Sequence, residues 1–135
     1  MASKSDKDAG QMATAAVVGR LRDRVAAAGL ETTEEALQQL SAYVNLLERW
    51  NRRMNLTGLG QDDRGLDRLV VEPLAAAARV PEHARSMTDI GSGGGSPAVP
   101  MKLARPELAL RMIESQAKKA AFLHEVIRRV RLQGT

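Results

Sequence analysis

The chain has 135 residues, 44% hydrophobic and 27% charged, which suits one small domain, or a small domain with part of another, and excludes wholesale disorder. It has no cysteine and two histidines, His83 and His124, so disulfides, thiolate chemistry and a His-rich metal cluster are excluded and no metal site is expected. The net charge of +4 is uneven: residues 1–100 carry −1 and residues 101–135 carry +5, which fits either a phosphate-bearing partner or a solvated helix face in the last third.

In chain order, residues 1–11 are polar and read as a disordered tail, without the apolar core of a secretory signal. No apolar run approaches the ~18 residues of a membrane span, so no membrane partner is expected, and the absence of cysteine and of an export signal fits a cytoplasmic protein. Residues 12–81 read as a helical N-terminal region. Val17, Leu21, Val25 and Ala28 share one face of a helix that Gly29 should stop. Thr32 and Glu35 have capping-box spacing ahead of a second helix, whose apolar stripe is Leu37, Leu40, Val44, Leu47 and Trp50. A third helical stretch follows Asp62 and Asp63, with Leu66, Leu69, Val70 and Leu74 on one side. Pro73 should kink or split it, and Pro81 closes it.

From residue 82 onward the pattern changes. Ser86 to Ile90 reads as a short strand running into Gly91-Ser92-Gly93-Gly94-Gly95-Ser96-Pro97. A short helix over 99–104, a second strand over 108–113 ending at Glu114, and a helix over 116–130 follow. Strand, glycine loop, helix, strand, acid and helix make a βαβα unit with parallel strands, so the fold class is α/β.

The glycine loop carries the chemistry. Glycines between a strand and a helix let backbone N–H groups approach a ligand, because no Cβ intervenes. A dinucleotide GxGxxG fingerprint would need glycine at 96, where Ser96 stands, and a phosphate loop would need a Gly-Lys-Ser/Thr ending that is missing. The spacing present is Asp89-x-Gly91-x-Gly93-x-Gly95. Glu114 lies nineteen residues beyond Gly95, at the end of the next strand, where an acid can accept from both hydroxyls of a ribose.

That acid-GxGxG pattern resembles the first motif of the Rossmann-like S-adenosylmethionine-dependent methyltransferases. Three separated stretches narrow the likeness. Leu46-Leu47-Glu48-Arg49-Trp50-Asn51-Arg52-Arg53-Met54-Asn55-Leu56-Thr57, the loop Asp89 to Pro100, and Glu114 to Leu123 resemble, in order, three motifs of one family. It is the small-subunit ribosomal RNA guanine-N7 methyltransferase family, RsmG or glucose-inhibited division protein B. The chain departs from the family pattern at Leu69, Glu72 and Pro73, where the family has His, Asp and Ser. It departs again at Ala98, in place of glycine, and at Ser96, in place of an apolar residue.

The resemblance implies that residues 82–135 are the first βαβα half of a wider methyltransferase sheet, so the chain reads as C-terminally truncated and of low activity. It implies S-adenosyl-L-methionine as cofactor, held by Asp89, Gly91, Gly93, Gly95, Ser96 and Glu114, with Asp89 ordering the loop through hydrogen bonds to backbone N–H groups. It implies 16S ribosomal RNA, or the small ribosomal subunit, as partner. Guanine N7 has a lone pair and no proton, so no general base is needed and no catalytic side chain is assigned.

Arg52, Arg53, Lys118 and Lys119 are candidate RNA contacts, with Arg128, Arg129 and Arg131 extending the basic set beside the expected cofactor site. Each can equally be a solvated surface charge. Trp50 reads as core by its phase, and Asn51, Asn55 and Thr57 as caps or turn formers, with the whole segment bracing the glycine loop if the resemblance holds. Exposed sheet edges favour self-association. The alternative is a non-catalytic helical module that binds RNA or protein. A nicotinamide-dependent fragment is a weaker third reading, opposed by Ser96.

Overall fold

The computed structural model describes residues 3–135, apart from the side chains of residues 8–11, 13 and 14. Helix α1 spans Lys4–Ala27. Ser3 caps it: its hydroxyl accepts from the Asp6 amide (3.2 Å), and the Asp6 carboxylate accepts from the Ser3 amide (3.2 Å). This reciprocal box satisfies amides that a helix start leaves without partners. Residues 4–11 are therefore helical, not a disordered tail; their polarity concealed a capping pair three residues apart. Met1 and Ala2 lie outside the described residues. Val17, Leu21 and Val25 are buried as the period requires, whereas Ala28 is exposed at the C-cap. Gly29 takes a left-handed φ of 71° and ends the helix.

Helix α2 spans Glu34–Asn51. Its cap is Thr33, one residue later than expected, with the hydroxyl accepting from the Ala36 amide at 3.1 Å. The Thr32–Glu35 box does not form, because the helix begins one residue further on and Ala36, at the third helical position, has nothing to return. Leu37, Leu40, Tyr43, Val44 and Leu47 are all buried. This face packs on α1 and on two later helices, making α2 the centre of the core.

The third stretch is one right-handed run of three windings. Helix α3 (Asp63–Leu66) is capped by Asp62, a π turn covers Asp67–Val71, and helix α4 covers Glu72–Ala77. Pro73 does not split the run, whose winding continues from Asp63 to Ala77. The wider π turn precedes it, and Pro73 sits in the first turn of α4, where an N–H is dispensable. In α geometry the Leu69 carbonyl would accept from residue 73, which has no N–H; the Ser96 hydroxyl donates to it instead, at 2.9 Å. Arg24 binds Asp67 through two nitrogens, at 2.9 and 2.7 Å, joining α1 to the π turn. The paired guanidinium holds the Asp67 carboxyl below its ordinary range.

Strand β1 (Ser86–Ile90) pairs in parallel with β2 (Ala109–Ile113), from Ser86 opposite Ala109 to Ile90 opposite Ile113. Helix α5 (Ala98–Ala104) connects them, and α6 (Ala117–Val130) follows β2. The chain is thus α/β, with the order and pairing of the opening half of a Rossmann-like sheet. Leu110 and Met112 face the helical layer, while Ile90 and Ile113 point away and are 81% and 46% exposed. The outer edge of β2 is partly covered, since the Leu110 amide donates to the Gly134 carbonyl at 2.8 Å. Among the described residues no helix is long and apolar enough to cross a membrane.

Close backbone approach fixes one position in this framework. A Cβ on Gly65 would stand 1.9 Å from the Gly60 carbonyl oxygen. Gly65→Ala should therefore destabilise the protein by about 2–3 kcal/mol in urea unfolding, because backbone atoms cannot step aside. Gly19→Ala, in the middle of α1 with nothing within 4 Å, should instead raise stability by about 0.5–1 kcal/mol.

Candidate functional site: a glycine loop between two strand ends

The site begins where β1 ends. The amides of Gly91 (2.8 Å) and Ser92 (3.2 Å) both donate to the Ile113 carbonyl, so the loop starts as an overrun of the sheet ladder. Gly91, Gly93 and Gly95 then take φ values of 76°, 49° and 86°, a region costly for side-chain-bearing residues. The Val99 amide donates to the Gly95 carbonyl (2.7 Å), which launches α5.

The glycines divide into two groups. A Cβ at Gly91 would meet nothing within 4 Å, and at Gly93 only the Gly91 oxygen at 3.9 Å. These two leave open space over bare backbone. Gly94 and Gly95 face inward: a Cβ at Gly94 would stand 3.3 Å from Leu47 Cδ1 and from the Leu56 oxygen. At Gly95 it would stand 3.1 Å from Val99 Cγ2, 3.3 Å from Tyr43 Cε1 and 3.4 Å from Leu123 Cδ2. Gly95 is thus required by packing, and Ser96 is engaged with the Leu69 carbonyl. The open cradle belongs to Gly91 and Gly93.

Glu114 closes the cradle. Its Oε1 accepts from the Gly93 amide (2.8 Å) and its Oε2 from the Gln116 amide (2.9 Å), so one carboxylate ties the loop to the entry of α6. The Gln116 and Gly93 amides hold its ionisation below the ordinary carboxylate range. Each oxygen keeps a further lone pair, so the residue can still accept from a diol. Asp89 acts differently from expectation. Its Oδ2 is buried with no hydrogen-bond partner among the described residues, and it is the Asp89 main-chain carbonyl that the Ser92 hydroxyl binds, at 3.1 Å. An unpartnered buried carboxylate oxygen beside bare glycine backbone fits a ligand that brings a donor.

The segment after α2 is built as a brace. Trp50 lies edge-on to Phe122, with centroids 5.6 Å apart, and its indole N–H donates to Glu125 at 3.1 Å. Asn51 Oδ1 accepts from the Leu56 (2.8 Å) and Thr57 (3.0 Å) amides, folding the loop back so that Leu56 lies against Gly94. Sequence reasoning passed over Tyr43, whose buried hydroxyl donates to the Gly94 carbonyl at 2.6 Å. Burial pushes its ionisation far above the ordinary value. Its spacing from Leu40 and Leu47 was the signal that it lay on the core face.

The basic set separates into groups. Gln39 reaches the Val130 carbonyl, while Trp50 reaches Phe122 and Glu125, so α2 and α6 run antiparallel. Arg52, Arg53, Lys118 and Lys119 therefore lie at the glycine-loop end. Arg128, Arg129 and Arg131 lie at the opposite end, which corrects the expectation that the whole surplus flanks the loop. Two more cations are structural: buried Lys102 donates to the Pro106 and Leu108 carbonyls, and Arg105 to those of Ala77, Val80 and Pro81. His83 and His124 are exposed.

Two measurements test this construction. Tyr43→Phe leaves the Gly94 carbonyl without its donor and should cost about 1–2 kcal/mol in chemical unfolding. Because the folded pKa of Glu114 lies below the ordinary 4.5, its tie is complete above that pH and is lost as pH falls through the lower folded value. The Gly93 and Gln116 amide shifts in NMR should titrate together with a midpoint below 4.5, and Glu114→Gln should abolish that titration.

The sequence that builds this arrangement matches a known family. Residues 36–135 match the family described as "GidB: rRNA small subunit methyltransferase G". Ribosomal RNA small subunit methyltransferase G of Neisseria meningitidis serogroup C (strain FAM18) is 36% identical over 108 residues, which is 80% of this chain and 52% of the relative. The protein of the same name from Neisseria gonorrhoeae (strain NCCP11945) is 37% identical over 106 residues, 78% of this chain and 51% of the relative. That from Chromobacterium violaceum is 36% identical over 107 residues, with 79% and 51% covered. The chain spans about half the length of the curated relatives it matches. With the match running from the first turn of α2 through the cradle to the last residue, the chain belongs to the ribosomal RNA small subunit methyltransferase G family.

Proposed function

We propose that the chain binds S-adenosyl-L-methionine over Gly91 and Gly93, with Glu114 accepting from the ribose hydroxyls, and serves methyl transfer to guanine N7 of 16S ribosomal RNA. The observation that carries this reading is the Glu114 carboxylate holding the Gly93 amide at the carboxyl ends of two parallel strands. An adenosine diol and a glycine-backed cradle meet at that point. The bound sulfonium supplies an electrophilic methyl group, which an unprotonated N7 lone pair can take without a general base.

The residues of the chain then have positioning roles. Gly91 and Gly93 bare the backbone to the methionine portion, and Asp89 offers the Oδ2 acceptor, which has no partner among the described residues. Tyr43 and Leu47 hold the loop from behind. Arg52, Arg53, Lys118 and Lys119 stand at the same end of the molecule and suit the phosphates of an RNA substrate. The small ribosomal subunit in the cytoplasm is the partner on this reading, and the free edge of β1 beside exposed Ile90 favours self-association.

Calorimetric titration of the purified chain with S-adenosyl-L-methionine should give saturable heat. Gly91→Ala, which places a side chain at a φ of 76° in the open cradle, should weaken binding about tenfold. A folded sample that gives no heat would refute the reading.

A further inference from the structure

Beside the glycine loop, on the side held by α2, two hollows of about 230 and 170 Å³ adjoin one another. Leu47, Leu59 and Leu69, with Thr57, line both and form a leucine-rich floor. Glu48 and Arg52 stand on the rim of the larger hollow, and Arg68 on that of the smaller, which reaches Gly94 and Ser96. The side chains of Glu48, Arg52 and Arg68 form no hydrogen bond or ion pair among the described residues. Glu48 and Arg52 are four residues apart on α2, a spacing at which opposite charges commonly pair; here both are available. The π turn directs Leu69, Val70 and Val71 into the core and leaves Arg68 exposed at the cleft. Single π turns recur where a helix must present a functional side chain.

We infer that this cleft is a nucleotide subsite for single-stranded RNA, with a guanine base on the leucine floor and flanking phosphates on Arg52 and Arg68. The inference rests on the methyltransferase reading above and adds to it Glu48 and Arg68. A flat base has an apolar face for the floor and a polar edge for the rim. Glu48 is a two-oxygen acceptor, and guanine presents two adjacent donors, N1–H and the N2 amine, that such an acceptor takes together. Arg52 in the same hollow and Arg68 in the adjoining one supply cations for the backbone phosphates that flank the base. The cleft ends at Gly94 and Ser96, so a nucleotide seated in it lies against the same loop whose other face forms the cradle.

The test is fluorescence anisotropy with a short single-stranded RNA carrying guanine at one position, compared with the same RNA carrying inosine, which lacks the N2 amine. The wild-type chain should prefer the guanine RNA, and Glu48→Gln should equalise the two. The double variant Arg52→Ala, Arg68→Ala should weaken both about tenfold, with a salt slope shallower by about 0.7 for each phosphate no longer neutralised. Circular dichroism establishes that each variant is folded. Unchanged RNA affinity in the double variant, an unchanged guanine-to-inosine ratio in Glu48→Gln, or no RNA binding by the wild type would overturn the subsite. Calorimetry with S-adenosyl-L-methionine on the same proteins separates the two readings: absence of cofactor binding in the wild type removes the methyltransferase reading, whereas these variants should bind cofactor as the wild type does.

Discussion

The glycine loop can hold its shape because α2 presses on its back. Tyr43 donates to the Gly94 carbonyl, Leu47 meets Gly94, and Gly95 fits among Tyr43, Val99 and Leu123, where a methyl group would be crowded at 3.1–3.4 Å. A five-residue stretch, Gly91 to Gly95, with left-handed backbones at 91, 93 and 95 would be mobile if exposed on both sides. A buried helix fixes the stretch from behind, and the cradle opens on the opposite face, where Gly91, Gly93 and Glu114 stand. The helical N-terminal region thus helps to build the cradle, and α2 belongs to the same core as the sheet's helices.

Charge follows the same division of labour. Arg105 uses its donors on carbonyls where α4 ends, and Lys102 on carbonyls between α5 and β2, places where helix ends leave oxygens without amide partners. Arg24 is committed to Asp67. A basic composition therefore overstates the positive surface. The cations left for a polyanion near the cradle stand where α2 ends, where α6 begins and on the π turn.

Much of this was legible in the sequence because it depends on local spacing. Leu37, Leu40, Val44 and Leu47 marked their face by period, and Asp89, Gly91, Gly93, Gly95 and Glu114 marked the strand ends by interval. What escaped notice depends on three-dimensional neighbours or on a shift of one residue. The π turn preserves the spacing of Leu66, Leu69, Val70 and Leu74 closely enough that nothing in the pattern shows the wider winding. The cap on α2 moved from Thr32 to Thr33 because adjacent threonines offer equal chemistry. The helix from Lys4 was hidden by its polarity. The division of the basic set could not be read at all, since it follows from α2 and α6 running antiparallel.

Pro73 and Ser96 depart from the family pattern at positions 23 residues apart in sequence, yet they meet at one carbonyl. Proline at 73 withholds a donor from Leu69, and serine at 96 supplies one. The Ser96 hydroxyl thus gives the Leu69 carbonyl a donor that Pro73 cannot supply. The Ser96 side chain is therefore a tether between the glycine loop and the π turn, so that a change at position 96 acts on both elements at once.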